Sequence, residues 1–145
     1  MSYDYSSKKI VGIVATNVDP SLALNIIGHL GVAVGAYADR DIMGKNPILD
    51  KSGTKHTGIA KFPFIITKIK SGKLRQAIEA ARLNPDILVI DYPREMLDTR
   101  HDDELVEAIG AKEEGAFEYL GAVLYGNTAD VDAITGRFQL WRVDK

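Results

Sequence analysis

The 145-residue sequence predicts a single α/β domain, a three-layer α/β/α sandwich around a mixed, mostly parallel sheet of four to five strands. Three observations carry that expectation. Apolar runs of strand length alternate with segments of helical periodicity, and no internal repeat, low-complexity tract or linker interrupts them. Two helical segments, Ser71 to Arg82 and Asn127 to Ile134, are bracketed by strands and read as crossovers that place parallel strands side by side. A composition 46% apolar over this length can bury one good core and hardly two.

The first element is Lys9 to Ala15, whose Ile10, Val11, Ile13 and Val14 make a strand apolar enough to be buried on both faces. Asp19-Pro20 then opens a helix, with aspartate capping free amides and proline where a missing N–H costs nothing. That helix runs from Ser21 to about Gly35, with Leu22, Ile26, Ile27, Leu30, Ala33 and Val34 on its apolar side. Gly28, Gly31 and Gly35 cluster elsewhere on it. Each costs about 1 kcal/mol relative to alanine, so a neighbouring backbone or a partner subunit is expected close by. Residues 37–60 are irregular and contain a small hairpin turning at Asp50 to Gly53. Phe62 to Ile69 is a second strand, Ser71 caps the next helix, and Ile87 to Ile90 is a third strand ended by Asp91. Thr99, with Asp102 three residues on, predicts a capping box for a short acidic helix through Ile109. Tyr119 to Gly126 is a buried strand, Asn127 or Thr128 starts a helix that Gly136 stops, and Arg137 to Trp141 is a closing strand.

The absence of cysteine excludes disulfides and thiolate metal sites and fits a reducing, cytoplasmic setting. Met1 to Lys9 lacks a signal-peptide core, and the run Ile26 to Ala38 is broken by His29 and glycines, so no membrane span is expected. Net charge is −2 but segregated: residues 51–82 hold eight Lys/Arg against Glu79 alone, whereas residues 83–145 hold six against fourteen Asp/Glu. The basic stretch reads as a solvated face ahead of a nucleic-acid footprint, because its Phe62 and Phe64 alternate as strand core does.

Among residues able to do chemistry, Asn25 and His29 lie one helical turn apart near the carboxyl end of the first strand, where open α/β sheets bind ligands. Asp91 ends a strand expected on the same rim. An aspartate that orients the imidazole would make His29 a general base, with Asn25 donating to a developing oxyanion; the competing reading is that all three are satisfied structural groups. Ser52 to Gly58, with Lys55 and His56, has small residues able to cradle an anion but lacks P-loop spacing and reads first as a hairpin. Histidines 29, 56 and 101 have no metal-ligand spacing, so neither a metal nor a cofactor is expected.

The block Leu124-Tyr125-Gly126 to Val131-Asp132-Ala133-Ile134-Thr135-Gly136-Arg137-Phe138-Gln139-Leu140 resembles the C-terminal end of peptidyl-tRNA hydrolase II proteins. Phe64 to Lys68, the helix end Ala80-Ala81-Arg82, Leu88 to Asp91 and the placement of His29 extend the likeness. Leu22 to Asn25, Gly58 to Ile65 and Thr135 to Trp141 are similar to a family of uncharacterised bacterial-type proteins of that fold group, and this match covers nearly the whole chain. The resemblance implies a peptidyl-tRNA hydrolase II-like fold. The family's Gly-Lys turn is replaced here by Thr16-Asn17-Val18-Asp19-Pro20, its glutamine by Ile26 and its threonine by Glu95. Only His29 and Asp91 carry over, so peptidyl-tRNA hydrolysis is not expected.

Two functions follow as expectations. One is a non-catalytic homodimer that binds a small anionic or carbonyl-bearing ligand where Thr16, Asn25, His29 and Asp91 converge, with the Lys55–His56 loop as a lid. The alternative is a hydrolase of a small acyl or amide substrate using His29 and Asp91. The dimer is expected from the helix glycines and the apolar last strand.

Overall fold

In the computed structural model the run predicted at Lys9 to Ala15 is β1 (Lys8–Ala15), the middle strand of a five-stranded sheet, buried along its last six residues. The structure describes residues 3–143; Met1 and Ser2, the start of the polar N-terminal stretch, lie outside them. After β1 come α1 (Pro20–Tyr37), the two-residue strands β2 (Ile48–Leu49) and β3 (Lys55–His56), β4 (Phe64–Ile69) and α2 (Ser71–Arg82). The chain continues with β5 (Leu88–Pro93), α3 (Glu95–Asp98), α4 (Asp102–Gly110), β6 (Tyr119–Asn127), α5 (Thr128–Thr135) and β7 (Gln139–Leu140). β2 and β3 pair only with each other, in the hairpin expected around Asp50 to Gly53.

The sheet order is β5-β6-β1-β4-β7, and this corrects the expectation of a mostly parallel sheet. Only β1 and β4 pair in parallel; β1 with β6, β5 with β6 and β4 with β7 are antiparallel. The predicted crossovers exist but do not join neighbours. α2 links β4 to β5, which run the same way with β1 and β6 between them, and α5 links β6 to β7 across β1 and β4. The antiparallel β6 and the parallel β1 fill the gap between β4 and β5, and β1 and β4, both antiparallel to β6 and β7, fill the other.

Burial divides by sheet face. Val11 and Ile13 pack with Leu74, Ile78 and Val131 of α2 and α5, whereas Ile10 packs with Ile26, Leu30 and Val34 of α1. By length and composition α1 would pass as a membrane span, but one face of it is core packed on this sheet. Its start is as predicted: Asp19 accepts from the amides of Ser21 and Leu22, at 3.0 and 3.4 Å. Other caps differ. Lys70 rather than Ser71 precedes α2, and α4 starts at Asp102 behind His101, two residues past Thr99, which instead ends α3 with its hydroxyl donating to the Glu95 carbonyl at 2.8 Å.

Two glycines set how closely α1 approaches the sheet. A Cβ on Gly121 would lie 2.8 Å from Ile26 Cγ2 and 3.0 Å from the Ile13 carbonyl, and one on Gly12 would lie 2.9 Å from Ile27 Cδ1. The close neighbour expected at Gly28, Gly31 and Gly35 is not found among the described residues, none of which lies within 4 Å of a Cβ built at any of them beyond the helix's own neighbouring turns. That side of α1 is open and apolar, with Leu24 and Val32 more than two-thirds exposed at 71% and 74%.

Opposite outcomes follow for two glycine-to-alanine changes. Gly121→Ala will destabilise the fold by about 1–3 kcal/mol through overpacking, whereas Gly31→Ala will stabilise the monomer by up to about 1 kcal/mol through helix propensity. Urea unfolding of both variants checks the signs.

Candidate functional site

α1 and the end of β5 form one wall and the floor of a cleft of about 550 Å³, which the α3–α4 segment closes from the other side. Leu30, Ala33, Ile90 and Tyr92 make it apolar at depth, with Met96 and Leu105 opposite. His29 stands on the exposed edge of α1, its ring centroid 6.3 Å from that of Tyr92 and tilted by 42°. Burial raises the Tyr92 hydroxyl above its ordinary pKa, so it remains a neutral donor at physiological pH. Thr99, Arg100, His101 and Asp102 form the polar mouth. An apolar interior with a few convergent polar groups can hold a small molecule and orient one polar end of it.

His29 and Asp91 border this same cleft, but their functional groups are not offered to each other. Strand alternation turns Ile90 and Tyr92 toward α1 and Asp91 toward α2, where Arg82 Nη2 lies 2.6 Å from its Oδ2. Arg82 also donates to the Tyr119 hydroxyl at 3.3 Å from both terminal nitrogens, and that hydroxyl donates to Glu114 Oε2 at 2.6 Å. Arg75 completes the group, 2.7 Å from Glu114 and 5.0 Å from the centre of the Tyr119 ring. Burial, and then the hydrogen bond to Glu114, raise the Tyr119 pKa; the Tyr119 hydroxyl and Arg75 lower that of Glu114. The sequence did carry a signal for this network, since Arg75 and Arg82 are seven apart on one helix and therefore share a face. It also tempers the charge segregation, because basic residues of 51–82 are neutralised by acids of 83–145.

The other expected site residues do not gather at the cleft. Thr16 is exposed at the end of β1 with its N–H donated to the Ile69 carbonyl, and Asn25 is exposed one turn before His29; neither lines the cavity. Lys55 and His56 form β3, on the separate hairpin, where His56 Nε2 meets Asp50 Oδ2 at 2.9 Å. His56, Ser52 and Thr54 together hold the Asp50 carboxyl down to about 2. Glu95, at the place of the resembled family's threonine, is 8% exposed and paired with Lys112 at 2.6 Å. Beside it Arg94 grips Glu118 at 2.7 and 3.1 Å, so this rim is closed by ion pairs. Among the described residues no group of three or more His, Cys, Asp or Glu side chains is placed to hold a metal ion.

Comparison with known proteins adds fold and family. The chain is similar to a solved structure of a protein of unknown function, Atu0240, from Agrobacterium tumefaciens strain C58. The two share 23% identity with a TM-score of 0.81, over 93% of this chain and 98% of that one, a likeness of fold. No curated protein matches. Residues 8–142 match DUF2000, a family described as protein of unknown function, and the chain belongs to that family.

Proposed function

We propose that the protein is a non-catalytic, dimeric small-molecule-binding protein built on a three-layer, peptidyl-tRNA hydrolase II-like frame. Its ligand is a small anionic or carbonyl-bearing molecule. The observation that carries this reading is the apolar cleft with His29 and Arg100 at its polar edge, which suits a ligand with one apolar body and one acceptor group. Binding without turnover is favoured because the Asp91 carboxylate is held by Arg82 and is not offered to the imidazole. The hydrolase alternative draws support from both residues bordering one cavity and needs Asp91 to leave Arg82 in the complex.

Thermal shift across a panel of small carboxylates, amides and keto acids tests the reading. A true ligand at about a hundred times its Kd stabilises the fold by about 2.7 kcal/mol. His29→Ala will weaken that ligand by about tenfold, the worth of one good polar contact; unchanged affinity would move the site away from His29. Asp91→Asn separates binding from hydrolysis. It will cost roughly 1 kcal/mol of stability or less, given a half-exposed pair, and will leave affinity for the ligand unchanged. If instead this variant abolished turnover of an acyl or amide substrate by the parent protein, the hydrolase reading would replace ours. Peptidyl-tRNA will not be cleaved above background, since the turn at Thr16 to Pro20 carries no lysine; deacylation lost on His29→Ala would contradict this.

A further inference from the structure

From Lys45 to Thr57 every residue is exposed, although β2 and β3 are joined by only two residue pairs, Ile48 with His56 and Leu49 with Lys55. A two-stranded hairpin on its own is marginal in water. This one is nonetheless fixed at both ends. At the tip Asp50 Oδ1 accepts from the amides of Ser52 and Thr54 at 2.9 and 3.0 Å, and Oδ2 meets His56. At the base Asn46 Oδ1 accepts from the Gly58 N–H at 2.9 Å, and Gly58 lies so near Lys45 that a Cβ would fall 1.9 Å from its carbonyl oxygen. The result is a preformed arm that holds Ile48 and Leu49 in solvent, 42% and 61% exposed. Its three lysines, 45, 51 and 55, form no ion pair among the described residues.

A surface of opposite character flanks the cleft. α4 carries four carboxylates, Asp102, Asp103, Glu104 and Glu107, with no basic residue, and none of its residues is buried. Asp103 and Glu107 form no ion pair among the described residues. Val106 stands among them at 72% exposure. Arm and helix each have an exposed aliphatic centre ringed by unpaired charge, and the signs are opposite. The open face of α1 has no charged residue with which to meet the arm's lysines, so charge complementarity selects α4.

We propose that the arm of one copy lies across α4 of a second, with Ile48 and Leu49 on Val106 and the arm's lysines against Asp102, Asp103 and Glu107. The exchange is reciprocal and closes a two-fold dimer. It brings the partner's Lys55 and His56 to the mouth of the His29 cleft, a position their own chain does not give them. The inference rests on the reading of the protein as a dimer with a ligand in that cleft, and it adds the interface and the residues that complete the site. A rigid arm suits this role because little entropy remains to be lost on docking.

The chain has no cysteine, so single-cysteine variants test the contact directly. Leu49→Cys and Val106→Cys are mixed at about 50 µM, a concentration where a micromolar complex is populated, and treated with a short bis-maleimide. A cross-linked pair of twice the 15.9 kDa chain is expected from the mixture and not from either variant alone. Lys51→Glu/Lys55→Glu, checked for native circular dichroism, will weaken dimerisation by about tenfold or more, and added salt will weaken the parent dimer. A monomeric parent protein at that concentration overturns the proposal, as does cross-linking only between like variants. A dimer indifferent to Lys51→Glu/Lys55→Glu overturns arm exchange while leaving dimerisation standing. A panel compound that shifts the His29 ring resonances of the Lys51→Glu/Lys55→Glu variant, whatever its oligomeric state, keeps the ligand reading even where arm exchange fails.

Discussion

The contact on which the rest of the molecule depends is the close seating of α1 on the sheet at Gly12 and Gly121. Any side chain at Gly121 would run into Ile26 and into the backbone of β1. Because the seating is close, Ile26, Leu30 and Val34 are sealed, and His29, one residue before Leu30, is fixed at the edge of that contact. The imidazole is thus placed by backbone clearance on β6 and β1. Tyr92 comes to His29 by the same route, since β5 is held against β6 with Tyr92 opposite Gly121 in the register. The cleft is a consequence of sheet packing before it is a collection of polar groups.

Most elements were legible because their signals are local. The Asp19-Pro20 start of α1, the apolar run of β1, the periodicity of α2 and the Asp50–Gly53 turn each depend on neighbours within a few residues. Strand direction is not local. α2 and α5 have the length and flanks of crossovers whether the strands they join are adjacent or separated, and nothing within either helix reports that β6 returns antiparallel between β1 and β5. The site was legible in part for a related reason. His29 and Asp91 both border one cleft, but which face of β5 Asp91 presents depends on strand register, and Arg82 on α2 claims its carboxylate. Lys55 and His56 belong to a hairpin that pairs only with itself, which sequence separation does not reveal.

Charge follows a similar logic. Along the chain the basic stretch of 51–82 reads as a solvated face, yet folding pairs part of it with the acidic segment that follows. Arg75 and Arg82 stack on Tyr119 and meet Glu114 and Asp91. Among the charges that form no ion pair within the described residues, those of one sign with an exposed aliphatic side chain beside them lie on the β2–β3 hairpin and on α4. That residue of imbalance is a better guide to association than net charge, because it is the part the fold itself does not neutralise.

The register of β1 has a consequence for how the chain is made. Ile10 pairs with Phe64 on one side and Tyr125 on the other, so the second partner of the central strand emerges from the ribosome 61 residues after the first. At ordinary elongation rates that interval lasts roughly 3 to 12 seconds, far longer than a hairpin or helix needs to form. Through it, one side of the central strand is an open template for any other extended segment. The nascent chain therefore passes through a window of vulnerability that the finished sheet no longer shows. A slowing of translation between the codons for Phe64 and Tyr125 would widen that window without altering a single residue.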